Sequence, residues 1–332
     1  MSSKVTYKKR TKKPSKESTE KLSPVTYKIT AGQKQYIHEE SGLYLPFNGN
    51  DKVATLEIPQ SKHPKVTMFN DIDLNRWKEY GDIITDSLWN LGARDKSGVH
   101  TGELHGNFIP QIPHQSMLRY TKRGEIVLDT FSGSGTTLIE CRRLGRHGIG
   151  IELLPTSAKH SQHLINSQSN PYNVKTEVVE SDSTKPETTQ KVSELLKRKY
   201  GRDSVQLIIM HPPYYDIIKF SDNPQDLSNA STLQEFLDKF SAVVKNSSSL
   251  LDKNRYLVLV IGDKYCASEW VPLSFYTMQK ILENGFKLKS IVIKNMAGNR
   301  AKRNAENLWR RRALGGGFYI FKHEYVMFFQ KR

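Results

Sequence analysis

Residues 125–152 read EIVLDTFSGSGTTLIECRRLGRHGIGIE, and this stretch decides the fold. The apolar run Ile126 to Leu128 ends at Asp129 and passes directly into FSGSGTT. After it, Leu138, Ile139, Cys141 and Leu144 recur at helical spacing. That order predicts a strand, a glycine-rich turn and a helix. Gly133 and Gly135 can take positive φ, and a helix beginning near Thr136 aims unpaired N–H groups into the turn. A second strand, Gly148 to Ile151, ends on Glu152, where a carboxylate in a doubly wound sheet grips ribose hydroxyls. The turn is thus a predicted cradle for an adenosine-containing ligand.

Nucleotide, flavin and S-adenosylmethionine proteins share such turns, so the turn alone leaves the ligand open. No G-x-x-x-x-G-K-[ST] occurs, which argues against a P-loop. Asp129 would repel a pyrophosphate but suits the ammonium and sulfonium charges of S-adenosylmethionine, which favours methyl transfer. A second buried-strand run, VQLIIM over Val205 to Met210, leads into His211, Pro212, Pro213 and Tyr214, with Tyr215 next. Consecutive prolines fix the backbone just past a strand, where neither can donate to a ladder. Rigid carbonyls and an aromatic face are therefore expected at a strand's carboxyl end.

Together DTFSGSGTT, Glu152 and HPPY resemble the amino-group DNA methyltransferases (N6-adenine or N4-cytosine), from about Gly102 to the C-terminus. The family motif is usually Asp, Asn or Ser followed by Pro-Pro-Tyr. The resemblance implies an α/β, Rossmann-like class I methyltransferase fold. Its sheet would be mostly parallel and seven-stranded, with an antiparallel C-terminal strand and helices on both faces. It also implies S-adenosylmethionine as cofactor and a flipped-out base as substrate. His211 and the Pro212 carbonyl would accept hydrogen bonds from the exocyclic amine, Pro213 would complete the rigid turn, and Tyr214 would stack on the ring. By the same resemblance Asp129, Phe131, Gly133, Gly135, Thr136 and Glu152 hold the cofactor, with Phe108 and Pro110 of FIPQIP as its wall. Asp182 would meet the adenine amine, its alternative role being an ordinary cap for the helix that follows.

His211 departs from the family pattern. A neutral imidazole accepts one hydrogen bond and a protonated one accepts none, so activity is expected to fall on the acid side of its titration. The other reading is a disabled site in a relative that only binds.

The 332 residues carry a net charge of +16, which favours a polyanionic partner, and double-stranded DNA before a membrane. No apolar run is long enough to span a bilayer, no signal peptide opens the chain, and cysteines occur only at Cys141 and Cys266. A cytoplasmic location is expected, nucleoid-associated in a prokaryote. Neither cysteine has the Pro-Cys setting that carbon-5 cytosine chemistry needs, and Cys141 falls on an apolar helix face.

The chain divides on composition into three parts. Residues 1–22, with KKRTKKPSK, read as a disordered basic arm, either along phosphates or as a solubilising tail. Residues 23–99 read as an accessory region in which Trp77, Tyr80 and Trp89 pack on the core. Residues 100–332 read as the catalytic domain, with a basic insertion at 295–317. His100, His105 and His114 lack carboxylates at ligand spacing, so no metal is expected.

Past Glu152 the spacing predicts helices over 156–166, 187–200, 232–251 and 272–284, and strands over 174–180, 256–261, 288–293 and 324–329. Residues 216–231 suit a mobile loop over the base pocket, and Asp263 a place in its lining. In the insertion, Arg300, Lys302, Arg303, Arg310, Arg311 and Arg312 surround Trp309. Arginines clamp phosphates and Trp309 can stack or wedge, so this loop is the expected nucleic-acid contact, against the plainer reading of a solvated charge run. Little room remains for a large recognition domain, which points to a short target, a homodimer or a companion specificity subunit. Adenine N6 is taken slightly ahead of cytosine N4. RNA is the runner-up substrate, and a non-catalytic methyltransferase-like subunit the alternative class.

Overall fold

Strands buried on both faces read as nearly continuous apolar runs, and two runs fit: all of 126–129 and 205–210 is buried, with Asp129 and Gln206 the polar exceptions. In the computed structural model, which describes residues 35–37, 44–46, 66–102, 106–296 and 306–332, these runs lie at the centre of a sheet. The chain forms two compact units, Met1–His63 and Pro64–Arg332. Within the first, β1 (Gln35–Ile37) and β2 (Tyr44–Pro46) pair antiparallel.

The second unit runs β3 (Leu88–Trp89), α1 (Gln111–Tyr120), β4 (Ile126–Asp129), α2 (Thr136–Leu144), β5 (His147–Glu152), α3 (Pro155–Ser167), β6 (Thr176–Glu180), α4 (Pro186–Leu195) and β7 (Val205–Met210). It continues with α5 (Leu233–Ser248), β8 (Leu251–Ile261), a hairpin of β9 (Lys264–Cys266) and β10 (Glu269–Val271), and α6 (Leu273–Glu283). β11 (Phe286–Asn295), α7 (Glu306–Gly316) and β12 (His323–Lys331) complete it.

The sheet order is β3-β11-β12-β8-β7-β4-β5-β6, with β12 antiparallel to both neighbours and the other pairs parallel. The seven strands expected from the sequence are present, including the antiparallel C-terminal one. An eighth corrects the count. β3 adds Leu88 and Trp89 alongside Ile293 and Lys294, because the buried Trp89 indole fills the edge of the core with only two residues of ladder. Within β4, Ile126 and Leu128 face one core cluster and Val127 the other, the period of a strand between two helical layers.

Other expectations shift at their ends. The helix over 187–200 breaks into α4 and a π turn at Leu196–Tyr200, and β8 begins five residues before the expected Tyr256. Trp77 does not pack on the core: it lies in a short 3-10 turn and is 63% exposed. Cys141 is fully buried, its Sγ against Met117. Among the described residues no helix is long and apolar enough to cross a membrane.

Candidate active site

From β4 the chain winds outward through β5 and β6, then returns to place β7 on the other side of β4. The crevice at such a reversal, outside the strands' carboxyl ends, is where doubly wound sheets bind ligands. Asp129 closes β4 beside Ile209 of β7, so the glycine-rich turn and HPPY leave the sheet side by side.

In the turn, Gly135 sits at φ +80° as the residue before α2, and a Cβ there would stand 2.7 Å from Cδ1 of Ile165. Both the backbone and the space demand glycine. Gly133 also has positive φ, but a Cβ there would meet only the Phe131 carbonyl oxygen, at an ordinary 3.9 Å. Phe131 N–H donates to Asp129 Oδ1 at 2.9 Å, and Gly133 N–H donates to Glu152 Oε2 at 2.9 Å. Leu154 N–H takes the other Glu152 oxygen at 3.1 Å, so Glu152 holds the turn and its own strand end together. Burial raises the Glu152 carboxyl against those two N–H donors.

Asp129 is fully buried, and its Oδ2 has no hydrogen-bond partner. Burial pushes its carboxyl up to about 6, offset in part by the nearby Thr137 hydroxyl, which stands outside full hydrogen-bond geometry, and by the Phe131 N–H. Asp182 repeats the pattern. Its Oδ1 accepts from the Thr184 N–H and hydroxyl, both at 2.8 Å, while its buried Oδ2 is unpartnered. It is not the cap of α4, since Lys185 occupies that position.

The segment before α1 closes over the turn through Asn107, an ordinary polar residue that no motif marks out. Asn107 accepts from the Thr136 hydroxyl at 2.9 Å and donates to Ser134 Oγ. Its neighbour Phe108 is buried and lies 4.9 Å from the His211 ring, centroid to centroid. Phe108 thereby touches the other half of the site. Pro110 is buried at the start of α1.

At the end of β7, His211 is partly buried and Pro212 buried, followed by Pro213 and Tyr214. Tyr215 sits at φ +54°, a left-handed conformation that is uncommon for a non-glycine residue. His211 Nε2 lies 3.2 Å from the Tyr214 hydroxyl, which donates to Glu324 Oε2 at 2.8 Å. Lys294 donates to the other Glu324 oxygen at 2.7 Å. Burial lowers the His211 imidazole to about 4, with Lys294 and Arg94 adding to the shift and Glu324 opposing it. Burial alone would raise Glu324, but Lys294 first, then His211 and Tyr214, hold it below the usual carboxylate range. The Tyr214 ring takes its place because Gly262 has no side chain: a Cβ there would come within 2.9 Å of the ring. Lys294 and Glu324 end and begin apolar strands in IVIKN and HEYVMFF, and that buried opposite pair is the only signal the sequence offers for them.

Three expectations need correction or limits. Asp263 does not present its carboxylate to the pocket. Oδ1 accepts from the Ser274 N–H and hydroxyl and Oδ2 from Trp270 Nε1, which ties the hairpin to α6. His100 and His114 do have a carboxylate: buried Glu140 of α2 lies 2.6 Å from His100 Nε2 and 2.7 Å from His114 Nδ1, with Arg143 as a third partner. Burial would raise Glu140, and these partners bring it down to about 2. Among the described residues no group of His, Cys, Asp and Glu has the arrangement of a metal site, and His105 lies outside them. Arg300, Lys302 and Arg303 lie outside them too, whereas Arg310, Arg311 and Arg312 are exposed on α7, with the Arg312 guanidinium 5.4 Å from the Trp309 ring centre. Beyond α7, Phe318 stacks on Tyr265 of the hairpin at 4.2 Å, and β12 then begins beside the Tyr214 hydroxyl.

The Type II methyltransferase M.MjaII of Methanocaldococcus jannaschii is 41% identical over 73 residues, 21% of this chain and 14% of its own length. M.XycI of Xanthomonas campestris pv. cyanopsidis, also a Type II methyltransferase, is 35% identical over 69 residues, 21% of this chain and 22% of its own length. The chain thus matches these curated relatives over less than a quarter of their length. Among solved structures, TrmN from Thermus thermophilus is similar at 16% identity and a TM-score of 0.43, over 69% of this chain and 51% of that one. The model of the N6/N4 DNA methylase family matches residues 3–163 and 205–332, ranges that contain both the glycine-rich turn and HPPY. On that match the chain belongs to the N6/N4 DNA methylase family, a family of S-adenosylmethionine-dependent methyltransferases.

Proposed function

We propose that the protein methylates the exocyclic amine of a base flipped out of double-stranded DNA, adenine N6 ahead of cytosine N4. The observation that carries this reading is the adjacency of two strand ends, one with the buried unpaired carboxylate oxygen of Asp129 and the other with a rigid HPPY turn. Asp129 and Asp182 fit the cofactor because each keeps one buried oxygen without a protein partner, an arrangement that a cationic amine or an adenine amine completes. Glu152 suits the ribose, Gly133, Gly135 and Thr136 shape the cradle, and Phe131, Phe108 and Pro110 supply apolar walls.

S-adenosylmethionine, when bound, supplies an electrophilic methyl group on a sulfonium centre. The residues around the base have the remaining work. Tyr214 stacks on the flipped ring, and His211 with the Pro212 carbonyl accepts the two amine hydrogens, which turns the nitrogen lone pair toward the methyl. With the cofactor bound, its methyl would pass to that nitrogen as its sulfur–carbon bond broke, and His211 would take the surplus amine proton along their hydrogen bond. No covalent link to the protein forms. Low basicity suits His211 to this task, because an imidazole held near 4 is neutral at physiological pH and keeps a free lone pair.

Arg310, Arg311 and Arg312, with Trp309 and the preceding Arg300, Lys302 and Arg303, form the phosphate-contacting surface of this reading. α7 is followed by Phe318, which stacks on the hairpin, and by β12, whose Glu324 accepts from the Tyr214 hydroxyl. The test is transfer of labelled methyl to unmodified duplex DNA, followed by mass spectrometry of the nucleosides, with His211→Ala in parallel. N6-methyladenine that vanishes in the variant supports the proposal, and N4-methylcytosine changes only the base. Methylated structured RNA with unmodified DNA overturns it.

A further inference from the structure

We infer that Glu324 is a positioning residue that sets the tautomer of His211 through the Tyr214 hydroxyl, so that Nδ1 carries the lone pair offered to the base. The reading of what Nδ1 accepts rests on the proposed function; the tautomer itself does not. A count of protons along one chain of contacts fixes the tautomer. Lys294 is a donor only and holds Glu324 Oε1 at 2.7 Å, in a pair where both side chains are about nine-tenths buried. Glu324 is thereby kept as a carboxylate, which only accepts. Its Oε2 takes the single hydrogen of the Tyr214 hydroxyl at 2.8 Å. That hydroxyl then has only lone pairs left to turn toward His211 Nε2, 3.2 Å away. A neutral imidazole facing an acceptor must place its hydrogen there. Nε2 therefore carries the hydrogen, and Nδ1 is bare.

An Asp or Asn at the first position of the motif brings an acceptor oxygen by its own chemistry. A histidine brings one acceptor and one donor, and which nitrogen does which is decided by its neighbours. Glu324 and Lys294 stand more than eighty residues from His211 in sequence, on the antiparallel pair β12 and β11 beyond β8. Their buried charges supply that decision. Phe108, tilted against the imidazole at 4.9 Å, holds the ring plane but offers no hydrogen bond that could compete.

The experiment is a long-range proton–nitrogen correlation spectrum of the full chain with labelled histidine, the His211 signals assigned by their loss in His211→Gln. Wild type should show the hydrogen on Nε2 in a single tautomer. In Glu324→Gln, the carboxamide turns an N–H to the Tyr214 oxygen, the hydroxyl hydrogen swings to His211, and the hydrogen should move to Nδ1. Tyr214→Phe keeps an aromatic face and removes only the relay, so it should give a mixture of tautomers, and it serves where loss of the Lys294 partner unfolds Glu324→Gln. Both variants should lower kcat at least tenfold with cofactor affinity unchanged. A hydrogen on Nδ1 in wild type, or an unchanged tautomer in both variants, overturns the inference. Neither spectrum needs DNA or turnover, so an inactive protein with the Nε2–H form would refute the proposed reaction and leave this assignment standing.

Discussion

The ends of β4 and β7 lie side by side in one crevice, yet they treat their polar groups in opposite ways. At the β4 side, Asp129 and Asp182 each leave a buried oxygen without a partner, and burial drives Asp129 up to about 6. At the β7 side, His211, Tyr214, Glu324 and Lys294 satisfy one another in an unbroken chain. A buried acceptor left unpaired costs roughly 1–3 kcal/mol, so the first side stores instability that a bound cation can relieve. The second is set before any substrate arrives. One half is completed by its ligand, and the other shapes its ligand.

The largest effect should separate the halves cleanly. His211→Ala removes the acceptor and should cut kcat for methyl transfer on the order of a hundredfold or more, since misorientation alone costs that much. Cofactor affinity, followed by calorimetry, should stay within a factor of two. A parallel loss of cofactor binding would mean that the two strand ends work as one unit. Phe108 would be the first suspect, because its ring meets His211 directly.

Gly135→Ala is the converse. The left-handed backbone costs about 1–2 kcal/mol for any residue with a Cβ, and the clash with Ile165 adds to it. Cofactor affinity should fall about tenfold or more, while DNA affinity in a gel-shift titration should hold. Unchanged cofactor binding would remove the turn from the site.

Protons should compete with the cofactor but spare the base pocket over most of the range. A cationic ligand needs Asp129 ionised. Because its pKa in the protein is raised to about 6, cofactor affinity should weaken as pH falls through 6, by up to tenfold per unit. Asp129→Asn should flatten that dependence. The His211 limb should lie near 4, because burial lowers the imidazole rather than raising it, and the neutral form is the one that accepts. An activity loss centred on 6.5 with saturating cofactor would contradict the closed state of the β7 side.

The two halves also differed in how openly the sequence displayed them. Asp129, Gly133, Gly135 and Glu152 lie within one βαβ unit, so spacing along the chain places them in space, and all of them fall at the turn. HPPY was equally plain as a strand end. Its support was not, because Lys294 and Glu324 reach Tyr214 only through the pairing of β11 with β12 and of β12 with β8. Asn107 and Glu140 are the same case on a smaller scale: ordinary polar residues until the fold turns them toward Thr136 and toward two histidines. β3 is illegible in the sequence because two residues cannot show a period. Trp77, an aromatic residue in an amphipathic stretch, reads as core although it lies on the surface.

The smallest effect concerns the surface outside both halves. Arg310, Arg311 and Arg312 are exposed on α7, and exposed charges acting on phosphates contribute through counterion release. Each arginine that neutralises one phosphate adds about 0.9 to the slope of log affinity against log salt. Arg310→Ala alone should weaken DNA binding only several-fold at physiological salt, yet lower that slope by about one. The reduction should be the same on every DNA sequence, because phosphate contacts do not read bases. Loss confined to one sequence would mean that this arginine reads a base edge, and an unchanged slope would leave α7 merely solvated. Under either outcome cofactor affinity should not move, since among the described residues α7 connects to the crevice by way of the hairpin and β12, on the β7 side.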